Sequence, residues 1–99
     1  MKRVRFVAQA RHEFLAEVSY YRQIQNQLSI RFIAAIEEAT SRAIEFSEAG
    51  SPSVAGTRCV MPAGFPFSVF YRPHANGIVV FAVAHQSRQP GYWTDRIKR

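Results

Sequence analysis

Apolar residues recur along this chain with a rhythm that changes twice. Val4 and Phe6 alternate with Arg3 and Arg5, the period of two that a half-buried strand requires, so a strand is predicted at the start. From Ala10 the spacing lengthens: Phe14, Val18, Tyr21, Ile24 and Leu28 lie three or four apart and share one helical face. This predicts a first helix over about residues 10 to 26. Asn26 breaks it, and Ser29 is the predicted N-cap of a second helix whose buried stripe is Phe32, Ile33, Ile36, Ala39, Ala43 and Ile44. So short a connection folds the helices into an antiparallel hairpin. Glu38 and Arg42, one turn apart on the outer side, add only a few tenths of a kcal/mol.

Past Glu48 the period returns to two. Ala49-Gly-Ser-Pro-Ser-Val-Ala-Gly56 is turn-rich and ends the helical half. Thr57 to Met61 is a predicted strand, Phe65, Phe67, Val69 and Tyr71 alternate as another, and Pro73-His-Ala-Asn76-Gly77 supplies a hairpin turn. The next run, Ile78 to Ala84, is apolar at every position, the pattern of a strand covered on both faces. The order predicts a two-layer α+β domain spanning 1–99: an N-terminal strand, a helical hairpin, a three-stranded antiparallel sheet and a short C-terminal segment. The sheet face away from the helices is left open for binding.

Charge divides along the same line. Lys2, Arg3 and Arg5 give +3; Arg11 to Glu48 holds four arginines against six glutamates; from residue 49 onward six bases face only Asp95, and the total is +6. A basic half of this kind attracts polyanions or acidic partners, or simply keeps the protein soluble. Cys59 is the single cysteine and has no internal disulfide partner, which fits a buried thiol in a reducing compartment. The first residues are too few and too basic for a signal peptide, and no apolar run reaches the roughly 18 residues of a membrane span, so the chain reads as cytoplasmic.

Several site chemistries are absent. His12-Glu13 begins like a zinc-protease helix, but Ala16 stands where the second histidine belongs. The glycines fit neither a P-loop nor a dinucleotide fingerprint, and no metal-ligand spacing exists, so no metal and no cofactor is expected. What remains is Arg58, Arg72, His85, Arg88 and Tyr92, each near the end of a predicted strand. Cleavage of RNA by its own 2′-hydroxyl needs a base, an acid and cations over the phosphorane; histidine supplies the first two and arginine the third. His85 reads equally as a hydrogen-bonded histidine that fixes the strand end. Tyr92 and Trp93 offer stacking surfaces for bases or an apolar anchor for the C-terminal segment.

The element order, with Phe14-Leu-Ala-Glu-Val-Ser-Tyr-Tyr21, Arg31-Phe32, Phe65-Pro-Phe-Ser-Val-Phe-Tyr-Arg72 and Ala82-Val-Ala-His85-Gln-Ser-Arg88-Gln-Pro90-Gly-Tyr92-Trp93, resembles the RelE/ParE superfamily over nearly the full chain. These are toxin subunits of bacterial type II toxin–antitoxin systems. The resemblance implies a plasmid-stabilisation type of toxin that a cognate antitoxin wraps and neutralises, operator DNA being met only through the antitoxin complex. RelE-type members cut mRNA on the ribosome, whereas ParE-type members poison DNA gyrase. One RelE pattern uses sheet lysines, but here the only lysines are Lys2 and Lys98; another pairs a sheet glutamate with arginine and histidine, and no acid occurs between Glu48 and Asp95. Arg58, Arg72 and His85 match that second pattern in part and are the catalytic candidates only if the protein is a nuclease. The two C-terminal blocks look more like the ParE branch. That favours gyrase, with Arg88, Tyr92, Trp93, Arg96, Lys98 and Arg99 as contacts to target or antitoxin. A ribosome-dependent mRNA nuclease is the alternative, and a non-toxic binding module or decayed toxin the further one.

Overall fold

The computed structural model describes residues 3–97. Strand β1 (Arg3–Phe6) leads into helices α1 (Ala8–Ile24) and α2 (Asn26–Glu45), followed by strands β2 (Ser51–Pro52), β3 (Arg58–Val60), β4 (Phe67–His74) and β5 (Gly77–His85). Short 3-10 turns follow β2 at Val54–Gly56 and end the described residues at Thr94–Ile97. The helical hairpin forms as its apolar spacing predicts, but the break is one residue long. Gln25 is extended, α2 already starts at Asn26, and Ser29 is therefore inside the helix. Its hydroxyl donates back to the Asn26 carbonyl at 2.7 Å instead of capping an end.

The sheet has five strands in the order β1-β5-β4-β3-β2, where the sequence predicts three plus a separate N-terminal strand. β1 joins it by parallel pairing with β5, and all other pairs are antiparallel. Gly77 makes the junction possible. It has φ +142°, and a Cβ there would be 1.8 Å from the Arg3 carbonyl oxygen, so only glycine lets β1 approach.

One face of the sheet presents Phe67, Val69, Tyr71, Ile78, Val80 and Val83 to Ala10, Val18, Phe32, Ile36, Ala39 and Ala43 of the helices. Phe32 is the hub of this core, with ring centroids 5.2 to 5.9 Å from Tyr21, Phe65, Phe67 and Phe14. The Tyr71 hydroxyl, buried with its ring, donates to Ser47 O and accepts from Gly50 N, tying the loop after α2 to the sheet.

A bulge alters the parity of β5. Tyr71 pairs with Val80 but Phe70 pairs with Ala82, so Phe81 is an extra residue. Phe81 and Ala82 both bury against Trp93, which stacks on Phe70 at 4.5 Å between centroids. The continuous apolar run is thereby explained: helices cover one face of β5 and the C-terminal segment covers part of the other. The second face is only partly open, a correction to the sequence expectation.

Candidate functional site

The C-terminal segment is held by a carboxylate. Glu13 on α1 accepts from Val83 N and from Arg96 Nη1 through Oε1, each at 3.0 Å, and from Arg96 Nη2 at 3.0 Å and the Tyr92 hydroxyl at 2.5 Å through Oε2. Arg96 Nη1 also donates to Phe81 O at 3.0 Å. β1 pairs with β5 only as far as Val80. Beyond that point Arg96 and Glu13 take the edge groups that a longer β1 would have satisfied. Burial alone would raise the Glu13 pKa; hydrogen bonds from Arg96, Tyr92 and Val83, with the Arg96 charge, outweigh it and hold the carboxyl below its ordinary range. Burial, then the bond to Glu13 and its charge, push the Tyr92 hydroxyl up to about 12.

The bulge also decides where His85 points. An unbroken alternation from Ile78 would put His85 on the open face, but the extra residue brings it opposite Phe67 on the helix side. Its ring meets Phe67 edge-on at 5.1 Å, and Nδ1 accepts from Ser87 N at 3.0 Å, which fixes the turn that ends β5. Arg58, opposite Tyr71, is likewise on the helix side and donates to Gly50 O at 2.7 Å. Arg72 is on the open face, donating to Ala55 O at 2.5 Å with its guanidinium 5.7 Å from the Phe81 ring centroid. Along β4, Arg72 is five positions from the residue paired with His85, about 17 Å at ~3.4 Å per residue. The catalytic candidates are not brought together.

Of the six contact candidates, three are: Arg88, Tyr92 and Trp93. Arg88 lies with its guanidinium 3.8 Å from the centroid of Tyr92, an exposed cation on a half-buried ring. With Val54, Ser68, Phe70 and Trp93, and with His85 at its rim where β5 ends, they line a cleft of about 300 Å³ on the open face. No carboxylate or lysine lines it among the described residues. Trp93 is 2% exposed and serves as the anchor, not as a free stacking surface. Arg96 is committed to Glu13, and Lys98 and Arg99 lie outside the described residues. Cys59 is a half-buried free thiol whose pKa burial pushes up. No metal-holding group of His, Cys, Asp or Glu occurs among the described residues. Sequence reasoning missed Glu13; its one signal is its place three residues after Ala10, at the margin of the buried stripe.

The sequence model of the ParE toxin of type II toxin–antitoxin systems, parDE, matches residues 4–90. Among solved structures, the fold is similar to a chain of the chromosomal ParDE toxin–antitoxin system from P. aeruginosa, with 20% identity and a TM-score of 0.70 over 86% of this chain and 96% of that one. At that identity the likeness is one of fold. A search of curated protein sequences finds no significant match.

Proposed function

The chain belongs to the ParE toxin family of type II toxin–antitoxin systems, and from that premise we propose that this toxin inhibits DNA gyrase in the cytoplasm and is neutralised by a cognate antitoxin. The observation that carries the choice of target is the scatter of the would-be nuclease residues. RNA cleavage needs acid, base and cation within reach of one phosphodiester. Here His85 is on the helix side about 17 Å along the sheet from Arg72, and Arg58, paired with the neighbouring Tyr71, projects from the face opposite to Arg72. The open-face cleft instead offers Arg88 over Tyr92 above an apolar floor, a surface for holding a partner. Lys98 and Arg99 extend the same basic segment in sequence.

Two features support the antitoxin. Tyr20 and Ile24, one turn apart on α1, are each more than half exposed, as are Leu15 and Ile30, an apolar display suited to a partner chain. The net charge of +6 favours an acidic one. No helix among the described residues is long and apolar enough to cross a membrane.

The test is expression of the full chain without antitoxin, with supercoiling, translation and message integrity followed in parallel. Growth should stop with lost supercoiling activity while protein synthesis continues at first, and the purified chain should inhibit gyrase. An early halt in translation with cleaved messages and unimpaired gyrase would replace this reading with the nuclease one, in which His85→Ala abolishes cleavage. Unaffected growth would leave only a non-toxic binding module.

A further inference from the structure

At the β1 end of the open face the basic residues are in register. Arg5 pairs with Val79, which pairs with Arg72; two residues earlier, Arg3 pairs with Gly77, which pairs with His74. Paired residues project from the same face, so a floor of valine and glycine on β5 runs between bases on β1 and β4. The flanking strands are ~10 Å apart and successive rows ~7 Å apart. Two abutting hollows of about 250 and 260 Å³ follow this floor and share Arg5, His74 and Val79. Among the described residues no carboxylate lines either one. Among the described residues the side chains of Arg3, Arg5 and His74 make no hydrogen bond or ion pair, and Arg72 uses one donor, on Ala55 O. Cations gathered along one groove with no carboxylate among them make it a site of positive potential, which attracts anions.

We propose that this groove binds the phosphodiester backbone of nucleic acid directly, through Arg3, Arg5 and Arg72, without reading its bases. Guanidinium forks match phosphate oxygens in pairs. The floor strand is hydrogen-bonded on both sides, to β1 and to β4, so it has no free main-chain edge to receive an extended acidic peptide. Of the rings that line the groove, Phe81 is 7% exposed and cannot stack on a base, which leaves only the exposed His74 imidazole. A strand held only by its phosphates needs neither feature. The contact is one that membership of the ParE family does not imply, and it does not depend on gyrase being the target.

The experiment is fluorescence anisotropy of the purified full-length chain with labelled single-stranded and duplex oligonucleotides of two unrelated sequences, from 50 to 200 mM salt. Affinity should be indifferent to sequence and fall with salt. Arg5→Gln and Arg72→Gln should each weaken binding about five- to eightfold near 0.1 M salt and reduce the slope of log K against log salt by about 0.7 to 0.9, the loss of one phosphate contact. Arg5→Lys, which keeps the charge, should retain most of the affinity. Arg22→Gln, the same charge change on the outer side of α1, should leave it nearly unchanged, and circular dichroism confirms that each variant is folded. Absence of binding at 50 mM salt overturns the proposal. So does an equal effect of Arg22→Gln, which would assign binding to net charge. Tighter binding of polyglutamate that displaces the oligonucleotide overturns it as well, in favour of an acidic peptide.

Discussion

Glu13→Ala removes one side chain and leaves four donors without their acceptor: Val83 N, the Tyr92 hydroxyl and two nitrogens of Arg96. Exposed ion pairs contribute roughly 0–1 kcal/mol, whereas breaking a buried pair costs about 3–5. The Arg96 and Glu13 side chains are 15% and 16% exposed, so this pair belongs near the buried limit. With Arg96 free to turn partly toward water, the expected loss is about 2–4 kcal/mol. At roughly 4–8 °C per kcal/mol for a domain of this size, the midpoint should fall by about 8–32 °C. Glu38→Ala is the internal control, because the Glu38–Arg42 pair is 58% and 43% exposed and should cost less than about 0.5 kcal/mol. Urea titration followed by circular dichroism gives the global value. Trp93, the one tryptophan, reports on the C-terminal segment by fluorescence and should lose its native signal at lower urea in the variant. The sign with pH follows from the depressed pKa. The clamp's contribution is complete above the ordinary value of 4.5 and is lost as pH falls through the lower folded value, so the acid limb of stability should be shallower in Glu13→Gln than in the parent. A Glu13→Ala cost below about 1 kcal/mol, or a double-mutant cycle with Arg96→Ala showing no coupling, would refute the reasoning.

The gyrase and nucleic-acid tests above probe the two binding surfaces, and two further substitutions probe the frame beneath them. Tyr92→Phe deletes the hydroxyl bonded to Glu13 and should cost about 1–2 kcal/mol at neutral pH. The folded-state pKa of that hydroxyl is raised, so its contribution is present below 10 and lost as pH climbs through about 12; the variant's alkaline limb should be correspondingly flatter in pH-dependent urea titrations. Gly77→Ala should detach β1, because its Cβ would overlap the Arg3 carbonyl at 1.8 Å in a backbone region that disfavours side chains. Hydrogen exchange should then accelerate at the Arg3 and Val7 amides, which donate to Asn76 O and Val80 O, and protection there equal to the parent's would contradict the packing argument.

The helical hairpin and the β4–β5 hairpin were legible because their apolar periods are long and unbroken. The parallel pairing of β1 was not: it is a contact between residues more than seventy positions apart, and its one local sign is a glycine that also reads as an ordinary turn residue. Ser29 misled for a different reason. A serine before an apolar stripe has the composition of a cap, yet a one-residue break at Gln25 let the second helix start earlier. At the site, residue types were legible and faces were not. Alternation along β4 does separate Arg72 from Phe67, Val69 and Tyr71. In β5 the same counting fails after Phe81, because a bulge inside a uniformly apolar run leaves no trace in hydropathy, and every residue beyond it changes sides. His85 is assigned to the wrong face by any count that ignores the extra residue.

That bulge and the Glu13 clamp together set the layout of the open face. The extra Phe81 supplies, with Ala82 and Phe70, the apolar bed on which Trp93 lies, and Glu13 holds the flanking Tyr92 and Arg96 in place. The C-terminal segment consequently crosses the middle of the face and divides it. On one side is the cleft with Arg88 and Tyr92; on the other is the arginine groove, with Arg96 at its margin. The two surfaces therefore have separate walls but a common support. Substitution of Arg88 touches the first and of Arg5 the second, whereas loss of Glu13 loosens both. If gyrase inhibition and nucleic-acid binding reside on different surfaces, Arg88→Ala and Arg5→Gln should each impair one and spare the other, while Glu13→Ala, assayed below its melting temperature, should weaken both.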